Sequence, residues 1–208
     1  MRRPFIAFAS LFVCVALFGS GGCSSVPKDP KERAALQTDA DKTLTELKQS
    51  DPSLESVLGD SAGYAVFPTI GKGGLIIGGG YGRGALYEAG KITGYTDMTQ
   101  AAIGALIGGQ SFTELLVFKS PDALKKFKAG DFSFGAHASA IALNKGAAAE
   151  SSFKDGVAIF TRANQGLMAD ASLNGQKFRY TELSAAGDKP AEADVASSRA
   201  EPTTRPVD

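Results

Sequence analysis

Residues 71 to 84 read Gly-Lys-Gly-Gly-Leu-Ile-Ile-Gly-Gly-Gly-Tyr-Gly-Arg-Gly, too glycine-dense for a helix and too regularly apolar for a flexible linker. Glycine inside a strand or helix costs about 0.5–1 kcal/mol relative to alanine, so such a run needs a backbone reason. Positive φ, bulges, tight curvature and close approach of another segment or a ligand are the candidates. Nucleotide loops do not fit. No register within the run gives G-x-G-x-x-G, and after Gly73 and Gly78, at P-loop spacing, stand Gly79 and Gly80 where Lys and Ser/Thr would have to hold phosphate and magnesium. The run therefore predicts a turn-and-bulge element of a curved sheet, with Gly71, Gly73, Gly74, Gly78, Gly79, Gly82 and Gly84 as structural glycines. It also carries two cations, Lys72 and Arg83.

The pattern on either side is strand-like. Tyr64 to Ile70, Gly74 to Gly80, Ala85 to Glu88, Ile92 to Tyr95, Ala101 to Ile107 and Phe112 to Phe118 are short apolar runs punctuated by glycine, as in an antiparallel sheet. Alternation returns from Phe132 to Ala140, in a strand at Val157 to Thr161, and from Leu167 to Leu173, where Asn174-Gly175 predicts a hairpin leading into Phe178 and Tyr180. Three helices are expected. Asp29-Pro30-Lys31-Glu32 has the form of a capping box opening an amphipathic helix to about Lys48, which would cover one end of the domain. A short helix should follow from Asp51-Pro52 to Leu58, and Ser120-Pro121 to Ala129 should form a capped helix closed by Gly130. The fold class is thus mainly β (α+β): a curved antiparallel sheet or small barrel-like sandwich, with an N-terminal amphipathic helix and one short inserted helix.

Met1-Arg2-Arg3 followed by the apolar Phe5 to Phe18 reads as an export signal, too short to span a bilayer as a helix of about 20 residues. Ser20-Gly21-Gly22-Cys23-Ser24-Ser25 then resembles the lipobox of a bacterial lipoprotein, which makes Cys23 the acylated first residue of the mature chain. With Ser20 in place of the usual Leu, ordinary signal peptidase cleavage stays open as an alternative. Ser24 after the cysteine suits the outer membrane, facing the periplasm of a Gram-negative cell. The division is then 1–22 signal peptide, 23–29 acylated tether, 30–183 domain and 184–208 disordered tail, the last having three prolines and no aromatic residue. The other cysteine, Cys14, lies in the signal, so the mature chain can form no internal disulfide.

Several segments together resemble the SYLF domain, a lipid-binding module of bacterial lipoproteins and of eukaryotic membrane and actin-patch proteins. They are Ala62-Gly63-Tyr64-Ala65-Val66-Phe67-Pro68, Lys72-Gly73-Gly74, Gly78-Gly79, Gly82-Arg83-Gly84, Gly108-Gly109-Gln110-Ser111 and Gln165-Gly166-Leu167, in the family's order. The resemblance implies a non-enzymatic, phospholipid-binding lipoprotein of the bacterial envelope. An exported bacterial chain would meet neither actin nor inositol lipids, so those roles are not implied.

Catalytic chemistry finds little support. Gly59-Asp60-Ser61-Ala62-Gly63 matches G-x-S-x-G, but a nucleophile elbow runs strand to helix and this one runs helix to strand. His137, the single histidine, would be the one available base. One histidine and no usable cysteine exclude the zinc patterns, so neither metal nor cofactor is expected. Formal charge is balanced at 22 basic against 22 acidic side chains, which predicts no nucleic-acid partner. Recognition remains. Anionic headgroups need cations or free backbone N–H groups, and glycine turns supply the latter. Lys72 and Arg83 meet both requirements, and Lys125, Lys126 and Lys128 form the densest basic cluster, so these five are the candidate headgroup contacts. Each also has a plainer reading, as a solvated cation on a sheet or helix surface. The alternative function is an envelope scaffold or protein-interaction lipoprotein in which the acyl anchor alone touches membrane.

Overall fold

The computed structural model describes Pro27 and residues 29–130, 133–134 and 141–183. Cys23, His137, the signal and the tail lie outside these. Three helices and five strands follow in the order α1 (Pro30–Ser50), α2 (Leu54–Gly59), β1 (Gly63–Glu88), β2 (Lys91–Phe118), α3 (Pro121–Lys128), β3 (Ser133–Phe134), β4 (Ile141–Ala142) and β5 (Val157–Glu182). The protein is mainly β, as the sequence predicts. One sheet runs β1-β2-β5-β3, antiparallel throughout, and β4 joins β5 in parallel.

The strands are far longer than the glycine punctuation suggests. β1 and β2 pair from Gly63↔Phe118 to Glu88↔Lys91, straight through the glycine run, with register shifts only at Phe67/Ile70, Leu75/Ile77 and Leu86/Tyr87. The expected six short strands are therefore two. Asn174-Gly175 makes no hairpin either: both residues pair in register with Ala102 and Ala101 inside β5. Pro68 has no N–H to give the ladder, and a bulge sits there. Its carbonyl accepts from the Thr113 hydroxyl at 2.9 Å and from Asn164 Nδ2 at 3.2 Å.

Strands of this length stay in a small domain because the three-stranded ribbon doubles back on itself. A Cβ added at Gly63 would lie 2.7 Å from the Tyr87 carbonyl oxygen, one at Gly84 2.6 Å from that of Val66, and one at Gly82 2.5 Å from Ile70 Cγ1. The first half of β1 thus lies against its second half, and the bend falls between them, at Leu75 to Ile77. Here the expected role of the glycines sharpens. On β1 the positive φ at the bend belongs to Ile76, at 69°, with Gly104 and Gly108 of β2 at positive φ across from it, while Gly82 and Gly84 are glycine because no side chain fits between the two halves.

Each face of the curled sheet has its own core. On one side Phe67, Ile70, Leu86, Met98, Leu116, Phe118 and Phe178 gather around Leu124 and Phe127 of α3. The rings of Phe127 lie 4.7 Å from Phe118 and 5.5 Å from Phe178. On the other side Tyr64, Val66, Ala85, Tyr87, Leu115, Val117 and Phe160 receive Ala40 and Leu47 of α1 and Leu54 and Leu58 of α2. The amphipathic face of α1 is therefore spent on the sheet.

The helix ends follow their caps. Asp29 accepts from Lys31 N at 2.9 Å, with Pro30 at the first turn. The rest of the expected capping box is replaced, since Glu32 instead meets Arg83, 3.4 Å away. Ser120 caps α3 by accepting from Ala123 N, and Gly130 leaves the helix at φ 76°. α2 starts later than expected because Asp51 turns inward as an acceptor for other segments.

Candidate functional site

The bend carries the least expected surface of the molecule. Leu75, Ile76, Ile77, Ile103 and Ile107 are each 61–70% exposed. They form one cluster because the register sets Leu75 opposite Ile107 and Ile77 opposite Ile103. Removing such a side chain from water is worth roughly 1–2 kcal/mol, so leaving five of them solvated in one patch is costly. Ile76 adds backbone strain, being a β-branched residue at positive φ. No Asp, Glu, Lys or Arg occurs on β1 from Gly73 to Gly82 or on β2 from Met98 to Thr113. That charge-free stretch is the signal in the sequence that marks this end, and reading the segment as glycine turns with two cations passes over it.

The five cations singled out from sequence do not assemble into one surface. Lys72 is only 7% exposed and points away from solvent, because it shares the interior side of β1 with Ile70. Arg83 reaches Glu32 of α1 at 3.4 Å. Lys128 is ion-paired with Glu88 and stands 5.4 Å over the Tyr180 ring. Burial alone would raise the Glu88 pKa, but the hydrogen bonds from Lys128 and Thr93 and the Lys128 charge outweigh it and hold the carboxyl below its ordinary value. Lys125 and Lys126 are exposed on α3. Their helix runs from beside Gly63, which Leu124 approaches, to a pocket that its C-terminal end shares with Thr99 and Lys177.

Next to α3 a pocket of about 230 Å³ is lined by Asp97, Thr99, Lys128, Lys177, Phe178, Arg179 and Tyr180 among others. Its cations are partly neutralised within the fold, since Arg179 lies 3.9 Å from Asp97 and Lys128 is paired with Glu88. The interior also holds a carboxyl group. Glu114 is 1% exposed, accepts from Gln176 Nε2 at 2.9 Å through Oε2, and has a buried Oε1 with no hydrogen-bond partner. Desolvation raises its pKa to about 7 against the smaller lowering by Gln176, so the group takes up a proton near neutrality.

Ser61, the serine of the G-x-S-x-G match, donates to the Leu58 carbonyl at 2.7 Å and closes the turn from α2 into β1. Its candidate base, His137, lies outside the described residues. Among those residues no helix is long and apolar enough to cross a membrane.

Fold and surface together describe a curled sheet, covered by helices on its flanks, that keeps an aliphatic end uncovered. Residues 99–182 match the family described as Las17-binding protein actin regulator, Ysc84, whose domain is the SYLF domain. Over those residues the chain is similar to this family. It is also 29% identical over 155 residues to Beta cell expansion factor A of Aeromonas veronii, an alignment covering 73% of this chain and 59% of that protein. The chain thus spans less than two thirds of the length of that relative.

Proposed function

We propose that this chain is a non-catalytic lipid-binding protein of the bacterial cell envelope, held at the outer membrane by an acyl group on Cys23, whose SYLF domain docks on phospholipid. The observation that carries the reading is the exposed Leu75, Ile76, Ile77, Ile103 and Ile107 cluster at the bend, where β1 and β2 carry no charged residue. An aqueous monomer gains nothing from such a patch, whereas an apolar phase covers it. The family similarity agrees. Anionic headgroups play a secondary part in this reading, because Lys72 is buried and Arg83 and Lys128 already hold carboxylates.

Vesicle flotation with the full mature chain carrying Cys23→Ala, which removes the acyl group, tests the reading. The protein should float with phosphatidylcholine vesicles and lose little binding between 50 mM and 500 mM salt. Remaining at the bottom of the gradient with every lipid composition would leave the envelope-scaffold reading in its place.

A further inference from the structure

We infer that the bend of the folded sheet enters the hydrocarbon of one leaflet as a wedge and stops at a row of charges built across the three strands. This rests on the lipid-binding reading above and specifies which residues meet which layer. The stop is visible in the register: Arg83 on β1 pairs with Asp97 on β2, which pairs with Arg179 on β5. One row closer to the bend, Tyr81, Thr99 and Lys177 lie side by side, with Tyr81 40% exposed. Tyrosine beside a cation suits the headgroup level, where an amphipathic ring has its apolar body in lipid and its hydroxyl in water. From Ile77 to Arg83 is six residues, or about 20 Å of strand, and from Ile77 to Tyr81 about 13 Å. A leaflet contributes about 15 Å of hydrocarbon, half of the bilayer core, so the charge-free length fits one leaflet.

Ladder pairing satisfies part of the backbone near the bend. In lipid every N–H and C=O needs a partner; at the bend Ile103 pairs with Ile77 and Leu173 and Ile107 with Leu75 and Ala169, while Ile76 and residues 104–106 have no partner across the β1–β2 ladder. β1 is the edge strand here, and the fold-back brings Gly80 close to the Gly71 carbonyl oxygen. β5 carries one charged residue between Ala163 and Gln176, Asp170, paired in register with Leu106. A second protein is the weaker occupant, since specific interfaces carry about one hydrogen bond per 100–200 Å² and this end offers aliphatic side chains and glycine.

The chain has no tryptophan, so one introduced residue reports its own depth. Ile77→Trp and, as a remote control, Glu55→Trp on α2 are made in the full mature chain with Cys23→Ala and mixed with phosphatidylcholine vesicles brominated at defined acyl positions. Ile77→Trp should shift to the blue and be quenched most by bromines deep in the acyl chain, with Glu55→Trp quenched at least fivefold less. Ile77→Ser with Ile103→Ser should weaken partitioning tenfold or more while leaving the thermal midpoint unchanged, because both side chains are exposed. Flotation with equal quenching of the two tryptophans, or with undiminished partitioning of the double serine variant, would overturn insertion and leave lipid binding standing. Failure of the chain with native Ile77 and Ile103 to float at all overturns both readings. A lipid-free dimer abolished by the double substitution would assign the bend to a second copy instead.

Discussion

Asp51 is fully buried and accepts four hydrogen bonds on its two oxygens: from Ser53 N and Oγ at 3.1 and 2.6 Å, from Gly146 N at 3.0 Å and from Ala148 N at 2.8 Å. Burial by itself would raise its pKa, but the Ser53 side chain and the backbone donors of Ala148, Gly146 and Ser53 together hold it below the ordinary value. The unfolded chain therefore binds its proton more readily. The stability that Asp51 contributes is present above the unfolded value near pH 4 and is lost as pH falls through the lower folded value. Asp51→Ala should cost about 3 kcal/mol in urea unfolding at pH 7, because it strands the amides of Gly146 and Ala148, and the deficit should shrink as pH drops below 4. Glu114 has the opposite sign. Its folded pKa of about 7 lies above the unfolded value, so its stabilising effect is complete below about pH 4.5 and lost as pH rises through 7. Glu114→Gln should therefore raise the denaturation midpoint at pH 8, on the order of 3 kcal/mol from a shift of this size, and change little at pH 4.5.

Among elements, β1 shows how the glycines act. Gly84 and Gly71 belong to the same run, yet an added Cβ at Gly84 meets the Val66 carbonyl oxygen at 2.6 Å and Phe67 Cδ1 at 2.8 Å, whereas at Gly71 nothing lies within 4 Å. Gly84→Ala should destabilise by about 2–3 kcal/mol through overpacking, and Gly71→Ala should stay within about 0.5 kcal/mol, both read from chemical denaturation. The contrast also explains what the sequence discloses. Helix ends are local, so Asp29-Pro30 and Ser120-Pro121 announce α1 and α3, and the Leu124 and Phe127 spacing announces the buried face of α3. Strand length is not local. Gly78, Gly79 and Gly80 look like a break, but pairing with Ala102, Ala101 and Gln100 carries β1 through them, and only the contact of Gly82 with Ile70 shows why glycine is required. Asn174-Gly175 fails as a hairpin for the same reason, since both of its residues pair within a long β5. Of the candidate site, the run 71–84 is legible as the important segment, while its apolar centre depends on the fold-back that brings Ile103 and Ile107 beside Leu75 and Ile77.

At the scale of the whole molecule, polarity is divided along the ribbon. The ion pairs of Arg83 with Glu32, Lys128 with Glu88 and Arg162 with Glu46 all lie on the helix-covered side of the bend, and the aliphatic cluster stands alone beyond them. With 22 basic and 22 acidic side chains, no long-range attraction draws the chain to an anionic surface. On the proposed reading, an acyl anchor on Cys23 would supply the encounter instead, and the bend would then dock at the high effective concentration that tethering creates. Two signals of this kind mask one another, because a multiply acylated cysteine holds the protein at the membrane whatever the domain does. Cell fractionation should therefore find the native chain in the membrane pellet even with Ile77→Ser and Ile103→Ser. Cys23→Ala alone should divide between pellet and soluble fractions, and Cys23→Ala combined with the two serines should be soluble. Mass spectrometry of the pelleted native chain should show an acylated N-terminal Cys23. If Cys23→Ala with an intact bend is already wholly soluble, the anchor accounts for all of the attachment, and the exposed aliphatic cluster must be covered by something other than the membrane.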